Sequence, residues 1–163
     1  MIEGLERWSD FNVAMVGATA ALAGLVIVAS SVNISEIVKA RSLTARLAAG
    51  IAALVLAIVG SGLGLVPDIS RVWFAALLAI AAVCAGAFQV QATRAIFADH
   101  DPHAQAKPVK SAFGFLPIAP YLAGAVAVGV GSPSGLFLVA TGCILAIVTG
   151  ILVSWVALVE VLR

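Results

Sequence analysis

The chain has 163 residues, of which 63% are apolar types and only 10% are Asp, Glu, Lys or Arg, with a net charge of +1 and a mean hydropathy of +1.16. A water-soluble domain carries about 25% charged residues, so this composition excludes one. The balanced charge also excludes the basic face that nucleic acid requires. The charges are clustered, and the clusters separate apolar stretches, each as long as the roughly 20 residues needed to cross a hydrocarbon core about 30 Å thick. The expected fold is all-α. It is a single polytopic membrane domain over residues 1–163 with five transmembrane helices at about 13–32, 47–66, 72–92, 111–130 and 136–158. Helices are the expected form because lipid offers no partner to free backbone groups and no alternating strand pattern is present.

The amino end is acidic (Glu3, Glu6) and precedes a full-length apolar run. A secretory signal starts basic and has a shorter apolar core. The first stretch is therefore read as a retained span, with cleavage near Ala29-Ser30-Ser31 as the alternative. Span 1 carries Ala14, Gly17, Ala18, Ala21 and Gly24 on one side of a helix. Its exit is polar, with Ser30, Ser31 and Asn33, and Glu36 follows one turn later. Asn33 and Glu36 have the spacing of a capping box. The apolar positions Ile34, Ile37, Val38 and Leu47 alternate with Lys39, Arg41 and Arg46, as in a short helix lying at a membrane surface. The plain reading of this exit is a cap and connector. The sharper one is a binding site or pore mouth built from Ser30, Ser31, Asn33 and Glu36.

Span 2 has Ala49, Ala53 and Ala57 four apart, then Gly60 and Gly64, and stops at Pro67-Asp68. Span 3 ends with Gln89 and Gln91, which are expected to find backbone or headgroup partners. The loop after it reads Asp99-His100-Asp101-Pro102-His103. Two imidazoles and two carboxylates are metal-ligand types, but their spacing matches no familiar site and Pro102 breaks a shared helix face, so no metal is expected. Span 4 contains Pro117 and Pro120, each of which removes a helical hydrogen bond. Either a kink or a broken helix follows, and a broken helix can line a cavity or ion path with its freed carbonyls. Ala119, Ala123, Ala127 and Gly131 follow four apart. Gly131-Ser-Pro-Ser-Gly135 is a tight turn. Span 5 has Ala146, Gly150 and Ser154 on one side, and Glu160 pairs with Arg163 at i,i+3.

Lys39, Arg41, Arg46, Arg94, Lys107, Lys110 and Arg163 fall on one side of this layout, seven of the nine basic residues, with Arg7 and Arg71 on the other. Cytoplasmic loops carry the excess of Lys and Arg, so the amino end is expected outside and the carboxyl end in the cytoplasm. Trp8 and Trp73 fall at the predicted outer boundary, and Phe97, Phe113 and Phe115 near the inner one, as interfacial anchors do.

The stretch from Trp8-Ser-Asp-Phe through Gly17-Ala-Thr-Ala-Ala-Leu-Ala-Gly24 to Ser30-Ser31-Val-Asn33-Ile-Ser-Glu36-Ile, ending at the Pro67 stop, resembles the opening of a family of small multi-pass membrane proteins of high-GC actinobacteria without an established activity. The resemblance implies a bacterial inner-membrane protein and carries over no catalytic residue.

Helices in lipid gain nothing hydrophobic by associating, so small residues that let backbones approach must supply the contact. Gly17, Ala21, Gly24, Gly60, Gly64, Ala123 and Ala127 are the candidate packing residues. More small-residue stripes are present than five short helices easily bury among themselves, which points to a homo-oligomer or a membrane-protein partner. No span has a charge near its centre, as ion-coupled transporters and voltage sensors do. No nucleophile–base set and no phosphate-cradling loop appears. The expectation is a non-enzymatic accessory or scaffold subunit without a cofactor. The alternatives are a channel lined by span 1 or span 4, and a small transporter with a polar midplane cavity.

Overall fold

A computed structural model describes residues 2, 4–98 and 107–161, with the backbone alone for Lys107, Lys110, Ala157, Leu158, Glu160 and Val161. The described residues form a 3-10 turn, Leu5–Trp8, followed by α1 (Ser9–Val32), α2 (Ile34–Lys39), α3 (Arg41–Leu63), α4 (Arg71–Ala98), α5 (Lys107–Phe115), α6 (Ile118–Gly129) and α7 (Gly135–Val161). No strand occurs among them. Five helical stretches are long and apolar enough to cross a membrane: Leu5–Val32, Arg41–Leu63, Arg71–Ala98, Ser111–Gly129 and Gly135–Val156. These long helices are apolar all round, the pattern of helices surrounded by apolar material on every side. Large side chains such as Leu25, Ile80, Val126 and Ile144 point outward. Contiguous apolar surface of that extent marks contact with membrane or with protein.

The helix ends follow local chemistry. Ser70 precedes α4, and its hydroxyl accepts a hydrogen bond from the Trp73 N–H at 3.3 Å, the bond expected of an N-cap serine. At the end of α6, Gly131 takes φ 81°. Gly131 N–H donates to Val128 C=O at 2.9 Å and Ser132 N–H to Ala127 C=O at 2.8 Å. This is the Schellman pair of bonds, in which a left-handed residue, nearly always glycine, satisfies the last carbonyls. The tight turn expected at Gly131–Gly135 is thus present.

One local expectation is corrected. Asn33 does not cap α2 with its side chain. Its Nδ2 donates backward to Ala29 C=O at 3.4 Å, and Glu36 instead pairs with Lys39 at 2.8 Å. The capping box fails because the chain barely leaves the helix at Asn33, whose φ is −111° and ψ 22°, so its side chain remains beside the turn behind it. The helix that carries span 3, α4, continues past Ala92 to Ala98, so Gln89 and Gln91 lie inside it. Of the two outcomes expected for span 4, the helix is interrupted: α5 ends at Phe115, and α6 restarts at Ile118 around a buried Pro117. A proline N cannot donate, so Pro117 leaves Phe113 C=O, and Pro120 leaves Leu116 C=O, without the usual i+4 bond. Leu116 N–H turns to Phe113 C=O at 3.3 Å, closing a tighter turn at the break.

The four helices α3, α4, α6 and α7 close a ring in which α3 packs on α4, α4 on α6, α6 on α7, and α7 on α3. α1 lies outside this ring, along α3, with a short contact to α7. The helices alternate in direction. Trp8 stacks edge-on against Phe137 with centroids 4.9 Å apart, Asn12 meets Gly64, and Arg71 meets Gly131. At the other end Gly50 meets Val153 and Gln89 meets Gly114. The start of α1 and the far end of α7 therefore lie at opposite ends of the bundle. Lys39, Arg41, Arg46 and Arg94 gather opposite the start of α1, at the basic end of the bundle.

The ring is centred on Tyr121, the largest fully buried side chain. Two glycines admit it. A Cβ at Gly60 of α3 would come within 2.9 Å of the ring, and one at Gly142 of α7 within 2.8 Å. Phe74 and Leu78 of α4, with Leu56 and Ala57 of α3, complete the cluster. A second cluster at the basic end joins Ala23 and Val26 of α1, Ile37 of α2, and Leu43, Leu47 and Leu54 of α3. It is secured by the Thr44 hydroxyl, which donates to Ile37 C=O at 2.7 Å.

Candidate functional site

The polar exit of span 1 does not converge. Ser30 and Ser31 both return their hydroxyls to their own helix, Ser30 to Val26 C=O and Ser31 to Val28 C=O, each at 2.7 Å. A serine bonded in this way has spent its donor on the preceding turn. Ser31 and Glu36 are exposed, and Ser30 and Asn33 are half-buried. Pro117 is buried and Pro120 half-buried. They belong to α5–α6, which packs against α4 and α7 and not along α1. The two groups of candidate residues are therefore separate places.

The candidate packing residues divide in the same manner. Gly60 faces the Tyr121 ring and Leu78, and Gly64 faces the Asn12 amide. Gly17 and Gly24 meet nothing within 4 Å of an added Cβ, and Ala21 is exposed with them. α1 packs on α3 through another face: Asn12, Thr19, Ala23 and Val26 are buried. Ala123 is exposed and Ala127 half-buried, while the neighbouring Gly124 and Ala125 face inward. Gly124 is one close approach between α6 and α7, where an added Cβ would lie 2.9 Å from Val139 Cγ2. Gly124, Gly135 and Gly142 are close-approach positions outside the four-residue stripes.

The Asp99-His100-Asp101-Pro102-His103 segment and Arg163 lie outside the described residues, as does the side chain of Glu160. Among the described residues no group of three or more His, Cys, Asp or Glu stands where a metal ion could be held.

Polar groups inside the ring are few. The Ser61 hydroxyl and the Cys143 thiol lie 3.7 Å apart, both fully buried. The Tyr121 hydroxyl is buried without a hydrogen-bond partner. Thr149 is satisfied by Leu145 C=O at 2.8 Å. None of these lines a passage. The centre of the ring is filled by side chains.

A concavity that combines apolar walls with polar groups lies at the basic end. A cleft of about 240 Å³ opens between α3, α4, α5 and α7. Gly50 and Ala53 form its floor, Val109 and Phe113 of α5 and Leu152 and Val153 of α7 its sides, and Arg46, Gln89 and Thr149 its polar groups. Gln89 is buried, and its Nε2 donates to Ser111 C=O at 3.3 Å. The Ser111 hydroxyl meets the Thr93 hydroxyl at 2.8 Å. These bonds tie α5 to α4 and set one wall. Gly114 lets the wall close, because a Cβ there would collide with the Gln89 amide. A second hollow, of about 430 Å³, lies at the opposite end between the amino-terminal turn and the α3–α4 connection, beside Glu6, Pro67 and Asp68.

The cleft was not visible in the sequence as a site, because it draws single residues from four separated helices. The available signals were Gln89, a rare polar residue inside an apolar helix, and the breaks around Pro117 that allow α5 to stand apart from α6.

Comparison with known proteins gives no match to any family model, curated protein or solved structure. The class defined by the fold alone is an all-helical chain whose five long apolar stretches are compatible with a multi-pass membrane protein.

Proposed function

We propose that this chain is a non-enzymatic, multi-pass protein of a bacterial inner membrane that works as an oligomeric accessory or scaffold subunit, without a cofactor. The observation that carries this reading is the outward face of α1. Ala14, Gly17, Ala18, Ala21 and Gly24 are all exposed, in a helix whose other face is already seated on α3. A run of small residues is the surface on which a second membrane helix can approach closely. The filled centre of the ring, with Tyr121, Phe74 and Leu78 fully buried, speaks against a pore or a midplane substrate cavity inside one chain. The amino end is assigned to the outside and the carboxyl end to the cytoplasm, because the basic residues gather at one end of the bundle. Trp73 lies exposed at the opposite end and Phe97 and Phe113 at the basic end, which is where interfacial anchors belong.

The test is the mass of the intact particle purified in mild detergent. The wild-type chain is expected to run as a multimer or a defined hetero-complex. A Gly17→Leu/Gly24→Leu double variant, whose added side chains meet nothing within the chain, is expected to run as a folded single chain. A wild-type monomer, or a double variant that assembles unchanged, would refute the reading.

A further inference from the structure

We propose that the cleft at the basic end is a binding site for an anionic glycerophospholipid, with one acyl chain between α5 and α7 and the phosphate at Arg46. The proposal rests on the membrane placement argued above, and not on the oligomer.

The walls set the ligand class. Ala53, Val109, Phe113, Leu152 and Val153 are apolar, and Val109, Phe113 and Leu152 are also well exposed on the outside of the bundle. The cleft thus opens sideways, toward whatever surrounds the helices, and in a bilayer that is hydrocarbon. Its size points the same way. Pockets that enclose a drug-sized molecule measure roughly 300–1,000 Å³. A cleft of about 240 Å³ suits a length of acyl chain whose remainder stays in the membrane.

Charge sets the headgroup. Arg46 lies on the first two turns of α3, at the end of the bundle where Lys39, Arg41 and Arg94 also cluster. Basic pockets between membrane helices on the cytoplasmic side hold anionic headgroups, and each basic residue near the surface adds attraction for them. The Gln89 amide, fixed on Ser111 and pressed against Gly114, keeps the α4–α5 wall in place and adds a polar group at the inner end.

The experiment is native mass spectrometry of the full chain in detergent, titrated separately with phosphatidylglycerol and phosphatidylcholine. One phosphatidylglycerol per chain is expected to persist, in preference to phosphatidylcholine. Arg46→Gln should weaken the phosphatidylglycerol adduct about fivefold or more and abolish the preference. Arg7→Gln, at the opposite end, should leave it intact. Val109→Trp and Leu152→Trp place bulk at the exposed mouth and should remove the adduct of either lipid while the helical circular dichroism is unchanged. Equal retention of both lipids by the wild type, or adducts unaffected by Arg46→Gln and by both tryptophans, would overturn the site. Alkaline carbonate extraction of the expressed chain separates this outcome from failure of the membrane placement. A chain released into the supernatant sinks both, whereas a retained chain without a selective adduct sinks the lipid site alone.

Discussion

Gly142 and Gly17 are both glycines in long apolar helices, and they do opposite things. In the α3–α4–α6–α7 ring, Gly142 and Gly60 admit the Tyr121 ring between two backbones, and Gly124 brings α6 onto α7. In α1, Gly17 and Gly24 face open space. The buried share of the membrane-length window follows this division, at 17% for the α1 stretch against 44% for α3. A glycine in an apolar helix therefore signals a close approach only when its partner is known. In the ring the partner is this chain, and along α1 none of the described residues supplies one.

That contrast can be broken most forcefully at Tyr121. Replacing Tyr121 with Ala empties the centre of the ring and should cost about 3–5 kcal/mol, as for other large aromatic truncations, read as a large drop in the unfolding midpoint in detergent. Gly142→Val should cost about 1–3 kcal/mol, because overpacking displaces neighbours and here the neighbour is a ring that has nowhere to move. A Gly24→Leu change on α1 should move the midpoint by less than about 0.5 kcal/mol, as for surface changes generally. If Gly24→Leu destabilised a single chain as much as Gly142→Val, the division between ring and outer helix would be wrong.

The layout was legible because its signals are long and redundant. Apolar runs of bilayer length alternate with charge clusters, and Pro67 and the Gly131–Gly135 turn punctuate them. All five predicted spans correspond to helices, with ends displaced where no strong stop exists. α3 begins at Arg41, since nothing after Ala40 resists a helix, and α4 runs on to Ala98. The faces were less legible. The stripe of Gly17, Ala21 and Gly24 is a real periodicity, but so is that of Asn12, Thr19, Ala23 and Val26, and it is the second that sits on α3. A helix apolar on all sides gives hydrophobicity no means of choosing between them. The break at Pro117 was legible as a possibility. Beside it, Gln89 and Thr93 of the neighbouring α4 hold Ser111, contacts that no local pattern encodes.

The outward face of α1 is tested most directly by cysteine cross-linking in membranes. Cys84 is exposed and Cys143 buried, so a Cys84→Ser background leaves no accessible thiol among the described residues. Gly24→Cys on that background should form an interchain disulfide under mild oxidation, which requires Cα atoms within about 7 Å. Val126→Cys, equally outward on α6, should not. Cross-linking at neither position, or to the same extent at both, would contradict the assignment of α1 as the surface through which this chain assembles.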